Sequence, residues 1–212
     1  MIKKGHELGL TTTMVIASLS VLATASLHWP GVADLWIADS DAIAQYQLWR
    51  WFTGPLVHAT WGHLLRDLAL LLFCGIALER ELGRRYWQLC LAGLAVPTIA
   101  SLGDPQLQYY FGTSGLTHAL LAALILHVLW DTDADLRGPL WMRALALCGG
   151  LALGGKVLWE VTVGAPLFPM DLGPGIHQVP IAHASGALVG ALFIAGTRLR
   201  GQSKRSLAQR VS

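Results

Sequence analysis

Ser114 stands in Gly112-Thr113-Ser114-Gly115, a hydroxyl between glycines where an apolar run begins. A serine at a helix start has close backbone access and free N–H groups nearby, the ingredients of a nucleophile with a partial oxyanion hole. The same residues would also serve as an N-cap with glycines for tight packing. His183 lies in Ala182-His183-Ala184-Ser185-Gly186, and Gly186 opens a Gly-x3-Gly step to Gly190. Such a step lets two helices come close, which a short serine needs if it is to reach an imidazole. A histidine satisfied inside a bundle would look the same. His58, His63 and Asp67 form H-x4-H-x3-D; His63 and Asp67, four apart, share one helical face and could hold a developing oxyanion. Zinc on His58, His63 and His183 is the rival chemistry, but the spacing lacks a zinc pattern, so no metal or other cofactor is expected.

The elements that would position these residues are membrane helices. Of 212 residues 54% are hydrophobic and 13% charged, with a mean hydropathy of +0.51, against about 25% charged in soluble domains. Too little polar surface remains to cover a water-soluble globule. Six apolar runs are candidate spans, near 10–28, 58–78, 86–103, 114–130, 142–163 and 181–198. Turn and charge clusters separate them, among them Gly103-Asp104-Pro105, the run Asp131 to Asp135, Arg137-Gly138-Pro139 and Phe168-Pro169-Met170. The expected fold is all-α, a polytopic six-helix bundle over residues 1–200 followed by a short basic tail, 201–212.

Counting Lys and Arg by side orients the bundle. With the N-terminus cytoplasmic, that side receives Lys3, Lys4, Arg80, Arg84, Arg85, Arg137, Arg143, Arg198, Arg200, Lys204, Arg205 and Arg210, and the other only Arg50. Both termini are then cytoplasmic. Lys3 and Lys4 before an apolar run could also mark a signal peptide, with Ala23-Thr24-Ala25 as a cleavage site; a retained first helix fits the charge count better. Cys74, Cys90 and Cys148 sit in apolar runs as small core residues.

Depth then groups the polar residues. His63 lies 16 residues before Glu79, Ser114 17 before Asp131, and His183 15 before Arg198. At ~1.5 Å per residue all three stand roughly 22–26 Å above the cytoplasmic boundary, toward the outer leaflet. Lys156 and Glu160, i and i+4 on the fifth span, can neutralise each other as a structural intramembrane pair.

In these residues the sequence resembles the rhomboid family of intramembrane proteases. The likeness runs through Trp49-Arg50, H-x4-H-x3-D, Gly75-x3-Glu79-x3-Gly83, Gly112-Thr113-Ser114-Gly115 and Ala182-His183-x2-Gly186-x3-Gly190. It implies a six-helix bundle with a water-filled cavity open to the outer side, and a Ser114–His183 dyad with no acidic third member. The oxyanion would meet His63, Asp67, and the backbone at Ser114 and Gly112. His58 and His118 would pack the site, His118 where many rhomboids place an aromatic. Rhomboids usually carry Asn where this chain has Asp67, and an ionised carboxylate cannot donate. Either Asp67 is protonated by burial, or it pairs with a cation or histidine and leaves donation to His63 and the Ser114 N–H.

The short chain, the run Gly112 to His118 and the segment from Lys156 to Glu160 resemble the rhombosortase branch. That branch implies substrates whose C-terminus carries a Gly-Gly sorting signal, an apolar helix and a basic tail. The expected protein is thus a serine endopeptidase of the bacterial inner membrane, its site facing the periplasm. Its partners are lipid and transmembrane or C-terminally anchored proteins, and nucleic acid is not among them. Other rhomboid substrates are the alternative. A non-proteolytic rhomboid-like chaperone would normally lack Ser or His, and a transporter would usually show repeats and more spans.

Overall fold

A computed structural model describes residues 11–29, 31–130, 139–173 and 176–211. Lys3, Lys4, Arg137 and the turn cluster Asp131 to Asp135 lie outside them. Helices α1 (Thr12–Ala25), α4 (Trp61–Leu82), α5 (Tyr86–Leu102), α6 (Ser114–Trp130), α7 (Leu140–Val163) and α8 (Pro180–Val211) fall on the six apolar runs. Short α2 (Ser40–Ala44) and α3 (Arg50–Thr53) lie in the first long connection. A minimal antiparallel pair joins β1 (Ala38–Asp39) to β2 (Tyr109–Tyr110), Ala38 opposite Tyr110.

By length and composition three stretches among the described residues suffice to cross a membrane. They are Trp61–Leu102, which contains α4 and α5, then Leu140–Val163 and Pro180–Leu199; Thr12–His28 and Ser114–Trp130 are shorter apolar helices. Local chemistry moves several boundaries from those expected. α4 begins three residues after His58 because the Thr60 hydroxyl accepts the His63 N–H at 3.1 Å. It ends at Gly83, whose φ of +53° suits glycine. α7 ends at Gly164, a left-handed cap. α8 continues as helix through the basic segment after residue 200 to Val211.

α6 is the hub of the bundle. Every residue from Gly115 to Leu120 is buried, as expected of a helix apolar on all sides. In α7, by contrast, only Ala146 and Glu160 are buried, leaving most of that helix to face the surroundings.

Contacts account for the glycine spacings. The Gly186 and Gly190 Cα atoms press on the α6 backbone: a Cβ on Gly186 would overlap the Gly115 carbonyl, and one on Gly190 the Ala119 carbonyl. A Cβ on Gly75 would stand 2.6 Å from the Tyr86 hydroxyl and 2.8 Å from Thr13. The close approach of α1, α4 and α5 brings Glu79 onto the start of α1. Its carboxylate accepts the N–H groups of Thr12 (2.7 Å) and Thr13 (3.2 Å) and the Thr13 hydroxyl (2.8 Å). A negative charge satisfying free N–H groups caps that helix.

The first connection is tied down from within. Buried Arg50 donates to the carbonyls of Asp34 and Ile37, the latter at 2.6 Å, and to Gln47 Oε1 at 2.8 Å. Gly54 lets β1 pass so closely that any Cβ there would overlap Ala38. β1 in turn fixes β2, the chain leading directly into Gly112 and Ser114.

Candidate active site

A cavity of about 1110 Å³ is lined by His63, Asp67, Ser114, His118, Lys156 and His183, among others. The residues that depth counting placed on one level therefore face one space, and two polar clusters meet there.

The first joins α6, α7 and α8. Ser114 opens α6 and His183 lies one turn into α8, beside the Gly115–Gly186 contact. The Gly115 Cα also stands close to the Ala182 carbonyl, which a Cβ would meet at 3.3 Å. His183 Nδ1 is 2.7 Å from Glu160 Oε2, and Lys156 Nζ donates to the same oxygen at 2.8 Å. The Leu167 N–H donates to Glu160 Oε1 at 3.1 Å. His118 donates from Nδ1 to the Ser114 carbonyl at 2.7 Å, since a carbonyl can only accept. Its Nε2 is then left with a lone pair, which takes a hydrogen bond from Lys156 Nζ at 3.0 Å. The rings of His118 and His183 stack, centroids 4.2 Å apart and 16° from parallel.

The expected Lys156–Glu160 pair forms, yet it does not stand apart from the site. A carboxylate sits on the histidine where the resemblance implied no acidic member. Reading the pair as structural overlooked its level: Glu160 lies three residues from the end of α7 and His183 three from the start of α8. The rule that aligned Ser114 with His183 would have found Glu160 too.

The second cluster sits beneath the turn before Ser114. His58, fully buried, has Nδ1 3.1 Å from the Leu56 carbonyl, so Nδ1 carries a proton. Its Nε2 receives the Thr113 N–H at 3.3 Å and faces Asp67 Oδ2 at 3.2 Å. The Thr113 hydroxyl donates to Asp67 Oδ2 at 3.2 Å. Asp67 is thus taken up by His58 and Thr113. His63 Nε2 stands farther off, 3.7 Å from the same carboxylate oxygen. Its Nδ1 is buried without a partner among the described residues.

Gly112 corrects one expectation. Its N–H is engaged by the Val57 carbonyl at 2.7 Å, so it is not free for an oxyanion. What Gly112 supplies is space and shape: φ is +92°, and a Cβ would stand 2.7 Å from His63 Nε2. Two further participants escaped the motif reading. Thr113 locks the turn through both N–H and hydroxyl. Tyr110 lines the cavity with a buried hydroxyl whose pKa burial pushes up, so it remains a donor at any physiological pH.

Comparison with known proteins fits this geometry. The family model described as Rhomboid domain matches residues 45–200, from the first connection to the body of α8. The chain belongs to the rhomboid family. It is also similar to the rhomboid protease GlpG of Pectobacterium atrosepticum, 27% identical over 186 residues. That match covers 87% of this chain and 61% of the relative, so the chain spans about three-fifths of the length of the curated relative it matches. For a rhomboid, the likeness takes in both polar clusters and every helix from α4 to α8.

Proposed function

We propose that this rhomboid is an intramembrane serine endopeptidase, with Ser114 as nucleophile and His183 as general base. The observation that carries the reading is the backbone contact of α6 and α8 at Gly115 and Gly186, which puts Ser114 and His183 on one cavity wall. His183 Nε2 takes the Ser114 proton as Oγ attacks the scissile carbonyl. The imidazolium returns that proton to the leaving amine, and water then releases the acyl group by the reverse path. His63 Nδ1, buried and without a partner among the described residues, and the Ser114 N–H serve the oxyanion. Asp67 holds the His58–Thr113 corner under that turn, the second of the two roles open to it from sequence.

The setting proposed with it is a six-span bundle in a bacterial inner membrane, both termini cytoplasmic and the cavity toward the periplasm. The charge count supports it. So does the placing of Glu79 at the far end of α4 from His63. The substrates proposed are secreted proteins held by a C-terminal apolar helix behind a Gly-Gly signal, as the rhombosortase resemblance implies. Glycine unwinds a helix cheaply, by about 1 kcal/mol relative to alanine, and clears a narrow approach to Ser114.

The test uses two reporters in bacterial membranes, one ending in Gly-Gly, apolar helix and basic tail, the other with Gly-Gly replaced by Leu-Leu. Cleavage of the first alone, lost in Ser114→Ala and His183→Ala, is the expected result. Equal cleavage of both would reject the Gly-Gly preference and leave a general rhomboid protease. Binding without cleavage by the wild type would point to a chaperone.

A further inference from the structure

Rhomboid chemistry as read above asks nothing of α7, yet α7 sends its one buried carboxylate onto the base. Glu160 is 1% exposed and its Oε2 lies 2.7 Å from His183 Nδ1. We propose that Glu160 is a positioning residue that completes a Ser114–His183–Glu160 triad, with Lys156 as the counter-cation that lets a carboxylate sit there. The inference rests on Ser114 and His183 being nucleophile and base.

Donors and acceptors decide the tautomer of His183. A carboxylate can only accept, so the short contact requires the proton on His183 Nδ1. Nε2 then carries the lone pair that general-base work demands. Without an acceptor at Nδ1 the neutral ring could hold its proton on Nε2 and could not take one from serine. Lys156 Nζ cannot impose this tautomer. It stands 3.1 Å from His183 Nδ1, and as a donor it would favour the bare Nδ1. Glu160 Oε2 is the nearer partner of Nδ1 and also binds the ammonium at 2.8 Å, which turns the cation from rival into support. When His183 becomes an imidazolium, its charge faces the Glu160 carboxylate and the neutral ring of His118, and the Lys156 ammonium 3.1 Å away is offset by that same carboxylate.

The geometry is held from three elements. The Leu167 N–H fixes Glu160 Oε1, His118 of α6 holds Lys156 at 3.0 Å, and the i, i+4 spacing on α7 fixes the ion pair. The other ionisable groups lining the cavity are His63, Arg66 and Asp67 of α4, with Asp104, Tyr109, Tyr110 and His177 from the connections. None of them makes a hydrogen bond to His183 among the described residues.

The test needs no natural substrate. A fluorophosphonate reacts with an activated serine: Oγ bonds to phosphorus, fluoride leaves, and His183 takes the proton. The full chain, purified in nanodiscs with ¹⁵N-labelled histidine rings, is compared with Glu160→Gln, with His183→Ala to assign the base and Ser114→Ala as the blank. In the wild type the His183 ring should show a protonated Nδ1 and a bare Nε2. In Glu160→Gln the labelling rate per folded molecule should fall by roughly 10²-fold or more, with protonated Nε2 appearing. A folded Glu160→Gln that labels at the wild-type rate overturns the proposal. So does a wild-type ring protonated on Nε2, a result that stands whether or not the variant folds. If the wild type labels no better than Ser114→Ala, the endopeptidase reading itself has failed, which is a different outcome.

Discussion

Substituting Gly186 by alanine should separate the nucleophile from its base while leaving every polar group in place. The added Cβ would overlap the Gly115 carbonyl oxygen and stand 2.8 Å from its carbon, where ordinary contact begins at 3.4 Å. The carbon alone requires a shift of 3.4 − 2.8 = 0.6 Å, and the oxygen requires more. Backbone atoms on both sides of the contact leave no flexible side chain to absorb it, so α8 must move from α6 by something approaching 1 Å. A misplacement of that size costs roughly 10²-fold in rate, and forced overpacking costs about 1–3 kcal/mol in stability. The assay is fluorophosphonate labelling per folded molecule, with thermal unfolding in the same detergent. Gly154→Ala is the control, because no described residue lies within 4 Å of a Cβ there and helix propensity should favour it by about 1 kcal/mol. Gly186→Ala labelling at the wild-type rate would refute the claim that this contact sets the Ser114–His183 geometry.

Lys156→Met should lower thermal stability by about 3–5 kcal/mol, because it strands the buried Glu160 carboxylate; unchanged unfolding would show the pair to be dispensable. Asp67→Asn should keep activity within about threefold. Its amide can donate to His58 Nε2, whereas Asp67→Ala removes the oxygen that His58 and the Thr113 hydroxyl share, at about 1–3 kcal/mol. Unfolding curves and labelling rates check both, and a collapse of Asp67→Asn would show that the carboxylate itself is required. Glu79→Gln should cost about 1 kcal/mol by weakening the cap on α1, with normal labelling of the molecules that remain folded.

Helices fall where apolar runs were read because each run is long enough to bury or face lipid throughout. Their ends depend on single capping residues such as Thr60, Gly83 and Gly164. The meeting of His63, Ser114 and His183 on one cavity was legible through depth, since rise per residue is constant along a helix. The partners of individual atoms were not. Motif spacing assigned Asp67 to His63, four residues away, but the carboxylate turns to His58 and Thr113, which approach from two connections no periodicity describes. Gly112 looked like a donor, whereas its N–H is taken by Val57, another contact through irregular chain. Glu160 was read as the mate of Lys156 alone, because i, i+4 pairing is visible in one helix and contact with α8 is not.

The central claim is that Ser114 is a nucleophile made reactive by His183. Mass spectrometry of the fluorophosphonate-treated chain tests it most directly, by locating the adduct. One phosphonyl adduct is expected on Ser114, absent in His183→Ala although that variant remains folded. An adduct on another residue, or an undiminished adduct on Ser114 in folded His183→Ala, would contradict it.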